Sequence, residues 1–204
     1  MHAVFRSVMF LFLALLSSHL LAADYREGVD YERLAQQQPT DTGSKVEVRE
    51  LFWYGCPHCY RLEPYIERWL ARKPAEAEFI RTPAAMVPHW QDHARAFYTA
   101  EILGILPQTH RPMFDAIHVN GNKLSSVEAL ASFFEGFGIE KAKFYKTFRS
   151  FAVETRLRRA KTLAQRYNLQ GVPAVIVNGK FLVKGNGAET LKVINYLVAK
   201  ESGA

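Results

Sequence analysis

The stretch Val46-Glu47-Val48-Arg49-Glu50-Leu51-Phe52-Trp53-Tyr54-Gly55-Cys56-Pro57-His58-Cys59 decides how this chain is read. It opens as alternation, Val46 and Val48 against Glu47 and Arg49, and closes as the unbroken apolar run Leu51 to Tyr54. Such a run fits a strand buried inside a sheet better than a solvated edge. Gly55 breaks the strand. Cys56-Pro57 then opens a helix, because proline at the first helical position lacks only an N–H that would have no partner there. Leu62, Ile66, Trp69 and Leu70 recur at helical spacing and face a core, and Pro64 among them predicts a kink. Ala77 to Thr82 reads as a second strand, so the opening unit is strand–helix–strand.

Outward from this unit the chain changes character on both sides. Residues 1–23 are laid out as a secretory leader, with Arg6, an apolar run from Val8 to Leu16, Ser17-Ser18 and a closing Ala22-Ala23. A membrane anchor is the alternative, but Ser17, Ser18 and His19 interrupt the stretch short of the roughly 20 apolar residues a span needs. Leu20 and Leu21 leave the cleavage position open. A polar lead from Asp24 to Ser44 follows. On the other side, roughly Ala84 to Phe151, prolines and glycines divide a helix-forming region into four or five helices. Its aromatics (Phe97, Tyr98, Phe114, Phe133, Phe134, Phe137, Phe144, Phe148 and Phe151) read as core. Ser125 and Glu128 there have capping-box spacing.

The chain returns through a long helix, about Ala152 to Tyr167. Val172-Pro173 precedes a strand, Ala174 to Val177, and Asn178-Gly179 marks a hairpin to a partner strand, Lys180 to Lys184. A helix from Ala188 to Lys200 closes the chain. Gly185-Asn186-Gly187 lacks the third glycine of a phosphate-binding loop. The fold class is therefore α/β, one mixed sheet flanked by helices and interrupted by an all-helical insertion. The divisions are 24–84, 85–151 as the insertion, and 152–204.

Composition excludes some functions. With 49% hydrophobic and 13% aromatic residues the chain should pack as a globule. The net charge of +6 is not gathered into a nucleic-acid motif. Arg156, Arg158, Arg159, Lys161 and Arg166 interleave with Leu157, Ala160, Leu163 and Ala164 as one solvated helix face. There are two cysteines, three positions apart. A bridge that short closes almost no loop, so it adds little stability, and in an exported chain the pair points to chemistry. Cys56 sits where unpaired helix N–H groups favour a thiolate, and Cys59, one turn further in, is placed to resolve a mixed disulfide. His58 between them adds a donor and, when protonated, a positive charge. Glu50 shares a strand face with Val46 and Val48, where a buried carboxylate needs a partner or a function. Arg81 on the next strand is the candidate partner, and a solvated Glu50 beside Arg49 is the alternative. His89 and His93, at i and i+4, have neither the glutamate of a zincin helix nor an evident third ligand, so no metal site is expected. They read as surface residues, and His110 and His118 show no partner by spacing.

These residues resemble the DsbA family of thioredoxin-fold proteins. The likeness is carried by Phe52-Trp53-Tyr54-Gly55-Cys56-Pro57-His58-Cys59-Tyr60, by Gly171-Val172-Pro173 and by Val177-Asn178-Gly179-Lys180. It implies a thioredoxin fold and a redox-active Cys56–Cys59 disulfide with no other cofactor. It also implies a monomeric periplasmic oxidase that acts on folding exported proteins and is reoxidised by a DsbB-type, quinone-linked membrane protein. By the same likeness Pro173 would be a cis-proline beside the disulfide, and Val172 would pair with substrate backbone. Glu50 would assist proton movement at the inner cysteine, with Arg81 at a position often basic in relatives. An apolar substrate patch is expected from Trp53, Tyr54, Pro57 and Val172 around Cys56. Two other readings stay open: a thioredoxin-like reductase or isomerase using the same residues, and a non-enzymatic zinc-binding or structural-disulfide protein.

Overall fold

The computed structural model describes residues 25–203, so the leader expected over 1–23 lies outside them. Five strands, β1 (Glu32–Arg33), β2 (Val46–Phe52), β3 (Ala77–Pro83), β4 (Ala174–Val177) and β5 (Phe181–Lys184), form one mixed sheet in the order β1-β5-β4-β2-β3. β2 is parallel to β3 and antiparallel to β4, so the strand leading to the cysteines is paired on both sides. All seven of its residues are buried. This is the interior strand expected from the apolar run. Among the described residues seven helices accompany the sheet: α1 (Pro57–Leu70), α2 (Pro88–Ile102), α3 (Leu106–His118), α4 (Val127–Glu135), α5 (Lys141–Phe148), α6 (Phe151–Arg166) and α7 (Ala188–Ser202).

Side-chain alternation along β2 divides the core. Val46 and Val48 pack with Leu62, Ile66 and Trp69 of α1 and with Leu191, Ile194 and Leu197 of α7. Leu51, on the opposite face, packs with Leu163 and Ala164 of α6 and with Ile176 and Leu182. Each fully buried aliphatic side chain contributes about 1.5–3 kcal/mol by leaving water, so α1 is held from below by its own apolar stripe. Trp69 Nε1 also donates to Asn195 Oδ1 at 2.7 Å, joining α1 to α7. Helix α1 continues through Pro64 without a break.

The helices between β3 and β4 gather around a third cluster built from Phe97, Phe114, Phe134, Phe144 and Phe148. It reaches the sheet through Phe52, Tyr54, Cys56 and Cys59. The aromatic expectation therefore holds for most of these rings and fails for Phe151, which is 79% exposed at the start of α6. Its first-turn position turns it outward, against the guanidinium of Arg158. The cap of α4 is Ser126, accepting from Ala129 N at 3.1 Å, one residue after the expected Ser125. Glu128 instead bonds to Lys141 and Tyr145. The polar lead contains β1, two exposed residues paired with β5 that carry no hydrophobic signal. Asn178 and Gly179 both have positive φ, 51° and 63°, as a two-residue type I′ hairpin requires.

Candidate active site

Cys56 occupies the N-cap of α1 and Pro57 its first turn. Cys56 is 7% exposed and Cys59 is fully buried, and both are free thiols. The Val172–Pro173 peptide is cis, and Cys56 Sγ donates to Val172 O at 3.3 Å. The two sulfurs face different electrostatics. Cys56 is lowered from 9.0 to about 6, first by the Cys59 thiol acting as donor and then by the backbone N–H groups of Cys59 and His58, against a burial effect that raises it. Those amides belong to the first turn of α1, where helix N–H groups have no carbonyl of their own. Cys59 is raised far above its ordinary value, mainly by burial, then by its bond to Cys56.

His58 is exposed, and its Nδ1 lies 2.6 Å from Arg61 Nη2 and 2.7 Å from Asn186 Nδ2. A guanidinium can only donate, so Nδ1 is the acceptor and the ring proton sits on Nε2. Arg61, a residue that spacing alone did not single out, holds the His58 ring by this contact. Asn186 is brought in by the loop between β5 and α7, which no local signal could foretell.

Trp53, Gly55 and Pro57 line a groove of about 530 Å³ together with His89, Ile117, His118 and Lys123. Trp53 stacks on Trp90 at 4.8 Å between ring centroids, with 12° between planes. Val172 is half-buried and packs into the core next to Cys56. Tyr54 does not join this surface. It is 1% exposed and its hydroxyl meets His110 Nδ1 at 2.8 Å, because β2 ends at Phe52 and the following turn directs this ring inward. His93 is likewise buried rather than superficial. Its Nε2 faces the carbonyls of Lys123 and Leu124, and its ring lies over Trp53.

Beneath Cys59, Glu50 is fully buried, on the face of Val46 and Val48. Arg81 Nε is 3.5 Å from it, which brings the expected pair together. A second buried carboxylate, Glu63, bonds to the same guanidinium, and His110 Nε2 is 3.3 Å from Glu63. Burial, followed by the charge of Glu63, pushes Glu50 up to about 8, and Arg81 opposes this. The sequence did carry a sign of Glu63: it falls four residues after Cys59, inside the buried stripe Cys59, Leu62 and Ile66. Among the described residues no group of three or more His, Cys, Asp or Glu side chains is placed to hold a metal ion, and no helix is long and apolar enough to cross a membrane.

Exchange through a mixed disulfide needs one sulfur that ionises readily beside one that does not. On this sheet and helix, that asymmetry marks a thiol–disulfide oxidoreductase of the thioredoxin-like class. A family model for the DSBA-like thioredoxin domain matches residues 66–199, from within α1 onward. The chain is 42% identical over 187 residues to the thiol:disulfide interchange protein DsbA of Pseudomonas aeruginosa, covering 90% of this chain and 89% of that protein. It is also 42% identical over 189 residues to the protein of that name from Azotobacter vinelandii, covering 91% and 88%. The crystal structure of Pseudomonas aeruginosa DsbA is similar at a TM-score of 0.83 and 41% identity, over 88% of this chain and 96% of that one. That of the oxidoreductase DsbA from Xylella fastidiosa is similar at 0.83 and 33% identity, over 88% and 99%. The chain belongs to the DSBA-like thioredoxin family.

Proposed function

We propose that the protein is a periplasmic dithiol oxidase that passes a Cys56–Cys59 disulfide to exported proteins as they fold. The observation that carries this direction is the opposed shift of the two thiols, Cys56 down to about 6 and Cys59 strongly up. A thiolate stabilised only in the reduced protein makes its disulfide easier to reduce, hence more oxidising. A substrate thiolate attacks Cys56 Sγ, the Cys56–Cys59 bond breaks, and Cys59 leaves with the electron pair. Glu50, protonated at neutral pH, supplies the proton that Cys59 takes, and Arg81 receives the carboxylate left behind. A second substrate thiolate then attacks the substrate sulfur of the mixed disulfide, and Cys56 departs as the stabilised thiolate.

In this reading His58, held by Arg61 and Asn186, presents its Nε2–H to solvent and incoming substrate. Val172 and Pro173 line one side of the reacting sulfur, and Trp53 and Pro57 line the other. Backbone and apolar side chains are what unfolded chains share, so such a surface suits varied substrates. The dithiol is the only redox group required. A quinone-linked membrane protein of the DsbB type would return it to the disulfide, and the protein would work as a monomer without nucleic acid. The division at 24–84, 85–151 and 152–204 gives the dithiol and the Val-Pro loop to the sheet and one wall of the groove to the helical insertion.

Trapping tests the roles. Cys59→Ser should accumulate mixed disulfides between Cys56 and exported proteins, and Cys56→Ser should accumulate none. The reverse outcome would contradict the assignment of the two sulfurs. A reductase or isomerase would use the same residues but without a strongly stabilised Cys56 thiolate.

A further inference from the structure

A chain of buried polar groups runs from the inner cysteine away from the surface. Glu50 on β2 is fully buried, and neither of its carboxylate oxygens has a hydrogen-bond partner among the described residues. Arg81 on β3 lies 3.5 Å from it and bonds to Glu63 on α1. Glu63 is 3.3 Å from His110 Nε2 on α3, and His110 Nδ1 is 2.8 Å from the Tyr54 hydroxyl. Cys59 faces Glu50 from α1, and Arg111 adds a further positive charge next to His110.

Donor logic orients this chain. An ionised carboxylate only accepts, so the His110 tautomer that suits Glu63 carries its proton on Nε2, 3.3 Å from the carboxylate but outside hydrogen-bond geometry, with Nδ1 accepting from Tyr54. Charge then decides where the spare proton resides. One guanidinium serves two carboxylates in a site where an unpaired charge is costly. Glu63 has Arg81 and His110, whereas Glu50 shares only the longer contact.

We propose that His110, held by Tyr54, is a positioning residue: by engaging Glu63 it keeps Glu63 ionised on Arg81, so that the proton of the cluster stays on Glu50 beside Cys59. This rests on the reading of Glu50 as proton donor to Cys59. The shifts agree in direction. Burial works to raise Glu63, and His110 followed by Arg81 more than offsets it. Burial and then Glu63 raise Glu50. His110 itself is lowered, first by burial and against the pull of Glu63, so it serves as a neutral donor. Without that donor, Glu63 would hold Arg81 less firmly and take up a proton more readily, and Arg81 would turn to Glu50.

Single-turnover reduction of the oxidised protein by dithiothreitol, expressed per reagent thiolate between pH 6 and 10, reads the Glu50 proton. The wild-type rate should fall through an inflection near the Glu50 value of about 8. His110→Phe should move that inflection down by about one pH unit, the scale of a single lost buried interaction. His110→Gln, which retains an N–H for Glu63, should bring it back. Glu63→Gln should move it in the same direction as His110→Phe and serves if the latter does not fold. An inflection that stays in place in His110→Phe and Glu63→Gln, yet vanishes in Glu50→Gln, would overturn the role of His110 alone. One that persists in Glu50→Gln would overturn the reading of Glu50 beneath it.

Discussion

At the scale of single residues, the difference between the two sulfurs comes from which donors reach each of them. The largest influence lowering Cys56 is the Cys59 thiol, so Cys59→Ala should raise the Cys56 midpoint toward 9.0, while Cys59→Ser, which keeps a donor, should hold most of the shift. Thiolate absorbance against pH reads both. The linkage sign follows. A folded value near 6 against an unfolded value of 9.0 stabilises the reduced protein fully above pH 9, and that stabilisation is lost as pH falls through 6. It amounts to about 4 kcal/mol at most and about 1.4 kcal/mol at pH 7. Urea unfolding of reduced against oxidised protein should therefore show the reduced form gaining between pH 6 and 9. Glu50 has the opposite sign. Its raised value costs stability as pH rises from 4.5 toward 8, so Glu50→Gln should stabilise the fold above pH 7 by on the order of 1–3 kcal/mol, with no gain at pH 4. A variant that unfolds more easily at pH 8 would contradict the buried, protonated state. Cys56, Cys59, Glu50 and Arg81 were legible because local pattern fixes their place. Asn186 and His110 were not, since their roles come from elements distant in sequence; Arg61 lies on the same helix, one turn after His58, and carried no signal of its own.

At the scale of elements, the turn between β2 and α1 carries most of the site. A Cβ on Gly55 would lie 2.3 Å from the Trp53 ring, so Gly55→Ala should fold but displace Trp53 from Trp90 and reshape the groove. Peptide binding to the oxidised protein, followed by calorimetry, should weaken while the Cys56 titration stays near 6. Caps are simpler. Ser126→Ala removes the acceptor for Ala129 N and should cost about 1 kcal/mol. Strands and helices with clear period and punctuation were placed from sequence within a residue or two, among them β2, β4 and α6. The errors have physical reasons. β1 is two polar residues stabilised by a neighbour, the cap shifted between adjacent serines, and Tyr54 left the surface because a tertiary partner, His110, waits inside.

At the scale of the whole molecule, the sheet fixes the dithiol and the helices between β3 and β4 close over it. The core around Phe114 and Phe134 continues through Phe52 and Tyr54 to the cysteines themselves. Burial of Cys59 and Glu50 is therefore a property of the assembled molecule, and with it the asymmetry that gives exchange its direction. Sequence placed the two sulfurs together, but the sign of their difference came from packing. A Cys56 value one unit below neutrality raises the potential at pH 7 by roughly 30 mV over a thiol that is protonated there. The most direct test is the equilibrium of the Cys56–Cys59 pair with glutathione at pH 7. Millimolar glutathione should convert the disulfide to the dithiol. A disulfide that stays oxidised under those conditions, as expected for a potential near that of thioredoxin, about −270 mV, would contradict it.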